Sequence, residues 1–285
     1  VSYGNAAVLD STDYLEYFRN DKETDIIGIY IEGVNDGRKL FSTLKQVASG
    51  KPVVIWKGGA GEEGKRATAS HTSSLAGSPE IWDALVRQCG AIKADNLYEM
   101  IDAIKLLLHA RPVAGDRVGL AAMTGGQSVV ITDAFTRAGF KVPLLSDASY
   151  KKFSAFFQTL GASYRNPLDI SLNFPHLDRI IKSIEILGDD ESIDTVVLEI
   201  SVPFMKDLSW INTNLFDGMI EAVADFKARC AKTFISILVS GHAEQEALEV
   251  KKKLVARDIP CFSSFESGAK ALRKVADYYR NKSSM

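Results

Sequence analysis

Lys51 to Gly77 read KPVVIWKGGAGEEGKRATASHTSSLAG. An apolar run, Val53–Trp56, has the length and β-branched content of a buried strand, and it breaks into a loop containing Gly58, Gly59, Gly61 and Gly64. The loop ends at a single histidine, His71, among Ser70, Thr72, Ser73 and Ser74. A neutral imidazole is nucleophilic near pH 7 and its hydroxylic neighbours are donors, so this combination suits the pick-up and hand-on of a phosphoryl group. The four glycines are read as hinge positions that let the histidine move.

Outward from that loop, apolar segments alternate with amphipathic ones. Strands are expected at Ile26–Ile31, Val53–Trp56 and Ala91–Lys93, with helices near Thr12–Arg19, Gly37–Ala48, Pro79–Gln88 and Leu97–His109. The segment Arg111-Pro112-Val113-Ala114-Gly115-Asp116 breaks the pattern, and residues 1–113 and 114–285 are expected to form two domains. The second half repeats the rhythm, with strands at Val118–Met123, Thr195–Ile200, Phe234–Val239 and Pro260–Phe262. Its expected helices include Ser128–Ala138, Ala148–Leu160 and Leu177–Leu187. Such alternation implies parallel sheets, and the expected fold class is α/β, two flavodoxin-like domains in tandem. Function then belongs at the carboxyl edges of the strands. There Thr124-Gly125-Gly126-Gln127-Ser128 follows a strand and opens a helix, which makes Gly125, Gly126, Gln127 and Ser128 a candidate phosphate cradle.

Composition excludes several classes. The chain has 285 residues, 25% of them charged, 46% hydrophobic and a formal net charge of −2, with neither a basic block to track nucleic acid nor an apolar run long enough to span a bilayer. Cys89, Cys230 and Cys261 have no metal-ligand spacing, so no metal site is expected and a reducing, cytoplasmic location fits. VSYGN at the start, without an initiator methionine, suggests that sequence upstream is missing. Gly59–Arg66 nearly spells a P-loop, but Arg66 stands where Ser or Thr should bind magnesium. His109, His176 and His242 read as surface or structural residues, and the Tyr150, Phe153, Phe156, Phe157 group as core or interface.

The His71 loop, the upstream Ile29-Tyr30-Ile31-Glu32-Gly33, the TGGQS loop and Asn166-Pro167-Leu168-Asp169 together resemble the NDP-forming (ADP-forming) acyl-CoA synthetases of the succinyl-CoA synthetase superfamily. The resemblance covers nearly the whole chain and implies an acid-thiol ligase. By it, His71 is phosphorylated, Glu32 orients its imidazole, and the amides of Gly125, Gly126 and Gln127 bind the phosphate. It also implies that a CoA-binding domain and an ATP-grasp domain or subunit lie outside these residues and bind CoA, ATP/ADP and magnesium. The remaining implied substrate is a small organic acid, and an oligomeric assembly is expected. No cofactor is expected on this chain beyond the phosphate on His71. Ser73 replaces a glycine common after His-Thr, and the TGGQS loop is shorter than the usual glycine-rich one. Asn166 and Asp169 are read as lining the pocket or, equally, as a plain turn. The alternative reading is a non-catalytic CoA- or anion-binding homologue acting as an assembly module.

Overall fold

Three parallel strands, β1 (Ile27–Ile31), β2 (Val53–Lys57) and β3 (Ile92–Ala94), lie side by side in that order in a computed structural model of the chain. The structure describes residues 1–3, 6, 8–59, 61, 63, 64, 66, 78–173, 176–208 and 215–283. Residues group into two compact units, 1–108 with 277–285 and 109–276. The division thus precedes the expected one after residue 113, and the last residues join the first unit.

In the first unit α1 (Ser11–Asn20) precedes β1, α2 (Gly37–Gly50) joins β1 to β2, α3 (Pro79–Gln88) lies between β2 and β3, and α4 (Leu97–His109) follows β3. Capping starts several of these helices where the sequence places them. Asp10 accepts from the amides of Thr12 and Asp13 while Asp13 reaches back to the Asp10 amide, so two otherwise orphaned donors are satisfied reciprocally. Asp36 caps α2, and Ser78 with Pro79 at the first helical position opens α3. Leu15, Leu40, Leu44, Val47, Val53 and Ile55 are fully buried between helices and sheet.

The second unit is a five-stranded parallel sheet, ordered β5-β4-β6-β7-β8. Its strands are β4 (Val118–Ala122), β5 (Leu168–Asp169), β6 (Thr195–Ser201), β7 (Thr233–Val239) and β8 (Cys261–Phe262). Among the described residues its helices are α5 (Gly125–Arg137), α6 (Asp147–Ser154), α7 (Leu177–Asp189), α8 (Val202–Leu208), α9 (Leu215–Arg229), α10 (Glu244–Val255) and α11 (Phe265–Ser283), the last of which groups with the first unit from residue 277 on. Strands β4 and β6 are buried at every position, as expected of parallel strands covered on both faces.

Two elements differ from expectation. The helix expected through Leu160 ends at Ser154, because Phe153, Phe156 and Phe157 turn inward to pack against one another and Tyr164. This aromatic group is core. Asn166-Pro167-Leu168-Asp169 is the entry to strand β5, so the expected turn and a short edge strand coincide. All three cysteines are buried, and none forms a disulfide. No helix among the described residues is long and apolar enough to cross a membrane.

Candidate functional site

At the carboxyl end of β1 a small polar cluster surrounds Glu32. The Tyr30 hydroxyl donates to Glu32 Oε1 at 3.1 Å, and the Lys57 ammonium donates to the Glu32 carbonyl at 3.4 Å and to that of Gly58 at 3.2 Å. Burial, reinforced by the Glu32 carboxylate, pushes the Tyr30 phenol up, so it stays a donor throughout the physiological range. The Tyr30 ring packs on Trp56 with centroids 4.4 Å apart, fixing the direction of the hydroxyl. Gly58 leaves room for that hydroxyl, since a Cβ there would collide with it. The chain leaves β2 through Gly58, whose amide donates to the Ile31 carbonyl at 2.9 Å, and Gly59 adopts a left-handed φ of 72°. Glycine is required at both positions, for close approach at the first and for backbone freedom at the second. Gly64 packs on Gly59, its notional Cβ 3.2 Å from Gly59 Cα, whereas Gly61 faces open space. His71 and the serines beside it lie outside the described residues. Along the free edge of β1 runs a groove of about 800 Å³, lined by Tyr3, Tyr14, Phe18, Tyr30 and Glu32 among others.

If Glu32 orients an imidazole, Tyr30 sets where its carboxylate points. If that imidazole is His71 and takes up a phosphoryl group, Glu32→Gln is expected to slow phosphate incorporation by about a hundredfold, in the range of a lost proton-handling group. Tyr30→Phe should cost several-fold in the same rate while leaving the fold intact. Single-turnover phosphate incorporation measures both, and equal rates in Tyr30→Phe and the parent would remove Tyr30 from the arrangement.

In the second unit, Thr124 caps α5 and its Oγ accepts the Gln127 amide at 3.3 Å. The Ser128 hydroxyl donates to the Gly125 carbonyl at 2.7 Å, so it is spent inside the helix. Gly125 and Gly126 are exposed at the helix start, and their amides have no acceptor among the described residues. Those two amides, with the positive end of the helix dipole, are what an anion can use.

Asp169 reaches this place and Asn166 does not. Asp169, at the end of β5, sets its Oδ2 2.9 Å from the position of a Cβ on Gly125, and its Oδ1 accepts the Ser171 amide at 3.0 Å. Asn166 is buried against β4: Oδ1 accepts the Leu120 amide at 2.9 Å, and Nδ2 donates to the carbonyls of Val118 and Pro143, each at 2.9 Å. Its hydrogen-bonding groups are committed to backbone, so its place is structural and not in a pocket. Gly125→Ala should therefore destabilise by about 1–2 kcal/mol through overpacking on Asp169, while Gly126→Ala, with open space around it, should be neutral. Equal thermal midpoints for the two variants would contradict this.

Sequence reasoning missed Glu199. This fully buried carboxyl accepts the Met123 amide at 2.7 Å, directly beneath the strand-to-helix turn. One charged residue inside the apolar run Thr195-Val196-Val197-Leu198-Glu199-Ile200 was the available signal.

Two parallel α/β units, each with polar groups gathered at its carboxyl edge, form the ligand-binding arrangement common to open α/β sheets. Residues 1–107 match the model of the succinyl-CoA ligase like flavodoxin domain. The chain is 30% identical over 281 residues to the acetate–CoA ligase [ADP-forming] II subunit alpha of Pyrococcus furiosus, spanning 99% of this chain and 59% of that one. It is 40% identical over 203 residues to the acetate–CoA ligase [ADP-forming] I of Archaeoglobus fulgidus, covering 71% of this chain and 29% of the relative. A solved acetyl-coenzyme A synthetase 1 of Ca. Korarchaeum cryptofilum, in complex with phosphate and ADP, superposes with a TM-score of 0.82 at 26% identity, over 99% of this chain and 59% of that one. Residues 1–107 thus carry a succinyl-CoA ligase like flavodoxin domain, and the chain as a whole is similar to ADP-forming acyl-CoA ligases. It spans less than two thirds of the length of each of these relatives.

Proposed function

We propose that this chain is the phosphohistidine-bearing portion of an ADP-forming acyl-CoA synthetase. The observation that supports it best is the Glu32 carboxylate, held by Tyr30 at the carboxyl end of β1, beside the strand whose exit leads through Gly58 and Gly59 toward His71. In the direction of thioester synthesis, an imidazole nitrogen of His71 attacks the γ-phosphorus of ATP and ADP leaves. An oxygen of the organic acid then takes the phosphoryl group from His71, giving an acyl phosphate. CoA sulfur attacks the acyl carbon, and inorganic phosphate departs. Glu32 accepts the N–H of the second imidazole nitrogen, which fixes the tautomer and stabilises the positive ring formed on phosphorylation. The amides of Gly125 and Gly126 hold the phosphoryl oxygens at one stop of the relay. Gly58, Gly59, Gly61 and Gly64 serve as hinges. A CoA-binding domain and an ATP-grasp domain or subunit complete the machine, the second holding the nucleotide and its magnesium. A cytoplasmic location and an oligomeric assembly go with this reading.

The test is intact mass and peptide mapping at neutral pH after incubation with Mg-ATP and the ATP-grasp partner. An acid-labile phosphate on the peptide containing His71 supports the relay. No phosphate, under conditions where the partner demonstrably binds nucleotide, favours a binding-only homologue.

A further inference from the structure

Two carboxyl groups already stand at the amino end of α5, which is unexpected for an anion site. Asp169 lies against Gly125, and Glu199 lies beneath the turn that leads into the helix. Glu199 is wholly buried; Oε2 accepts the Met123 amide, and Oε1 has no hydrogen-bond partner among the described residues. A buried carboxylate with an unpaired oxygen is costly, whereas its protonated form loses the charge and gains a donor.

The surroundings favour that neutral form. Burial, with the Asp169 charge adding to it and the Met123 amide opposing, pushes Glu199 up to about 7. Its neighbour in β7 is Ile237, and the first turn of α5 is uncharged. From α7 the buried positions are apolar apart from Ser183, and from α8 they are Val202 and Met205. Lys206 of α8 pairs with Glu246 at 2.5 Å, and Asp207 is exposed. Among the described residues, Asp169 is the one charged group acting on the Glu199 carboxyl. A dianion arriving at Gly125 and Gly126 adds further negative charge beside these carboxyls, and among the described residues no cation pairs with either of them.

We propose that the amino end of α5 binds its phosphate-like anion together with one proton, and that the proton resides on Glu199. The proton comes from solvent and adds to a carboxylate oxygen of Glu199; no covalent bond to the anion forms or breaks. Glu199 is a positioning residue, since it acts on the anion through the Met123–Gly125 turn and through its charge. The inference rests on the anion-cradle part of the function proposed above.

Sulfate is the probe, because its charge is constant across the range in which Glu199 titrates. Binding to the 285-residue chain is followed by amide shifts of Gly125 and Gly126 and by calorimetry in buffers of different ionisation heat. Affinity should fall about tenfold per pH unit above about pH 7, with uptake approaching one proton per sulfate at about pH 8. Glu199→Gln, which keeps an acceptor for the Met123 amide, should bind with no pH dependence and no proton uptake. Asp169→Asn should move the midpoint of the pH dependence downward, giving a second reading if Glu199→Gln fails to fold. The proposal is overturned by wild-type binding that is flat with pH, by the same slope in Glu199→Gln, or by no sulfate-induced shift at Gly125 and Gly126 at any pH. Failure of the relay itself reads out separately, as absence of phosphate on His71.

Discussion

Replacing His71 by alanine is expected to abolish ATP-dependent phosphorylation of this chain and, in the complete enzyme, thioester formation. The expectation is a loss to background and not a partial decline, because a covalent carrier has no substitute. Glu32 is a carboxylate that would give an unstable mixed anhydride, and the tyrosine nearest to it, Tyr30, has its phenol pushed up and hydrogen-bonded to Glu32. Serines flank His71, but none sits in the Gly-x-Ser-x-Gly elbow that activates a serine nucleophile. Thermal unfolding should be unchanged. The measurement is radiolabel incorporation from ATP alongside acyl-CoA yield. Retained thioester synthesis in His71→Ala would show that the acid is activated without passing through this residue.

The fold was legible where one kind of force dominates. Continuous apolar runs such as Val53-Val54-Ile55 and Val196-Val197-Leu198 are buried strands as expected, and the helices expected from Gly37 and Pro79 start at those residues, whereas α5 starts at Gly125, three residues before the expected Ser128. Glu32 was singled out through the family resemblance, by its place in Ile29-Tyr30-Ile31-Glu32-Gly33, and in the structure it follows β1 and accepts from the Tyr30 hydroxyl. What stayed hidden depends on contacts distant in sequence. Strand β5 has two residues, too few for any periodicity, and exists because β4 needs a partner on that side. Helix α8, which is not among the expected helices, contains Pro203 at its second position and follows directly on β6. Glu199 sat inside a strand that looked wholly apolar, and its role follows from Met123, 76 residues away in sequence. Asn166 and Asp169 are three residues apart in one motif, yet one serves β4 and the other faces Gly125.

That division makes Asn166→Ala the substitution with the largest expected effect on stability. Strand β4 pairs with β5 at Ala121 and Ala122 alone, and the Val118 amide donates to the Lys141 carbonyl, which leaves the Val118 carbonyl and the Leu120 amide without a backbone partner on that edge among the described residues. The Asn166 side-chain amide takes that place: it accepts from the Leu120 amide and donates to the Val118 carbonyl, as a peptide group of a longer β5 would. Its second amide hydrogen reaches the Pro143 carbonyl and ties in the segment before α6. Alanine would leave one buried donor and two acceptors unpaired, each worth about 1–3 kcal/mol where water cannot enter. A loss of roughly 3 kcal/mol or more is expected, which in a unit of this size lowers the thermal midpoint by about 6–12 °C. Asn166→Asp should do no better, because a carboxylate would face the Val118 carbonyl without a hydrogen to give. Asp169→Asn, by contrast, retains an acceptor for the Ser171 amide and should leave the midpoint nearly unchanged. A midpoint for Asn166→Ala within a degree or two of the parent would mean that water or a backbone shift supplies what the side chain gives. In that case the two ends of the motif would not divide between holding the sheet and facing the anion.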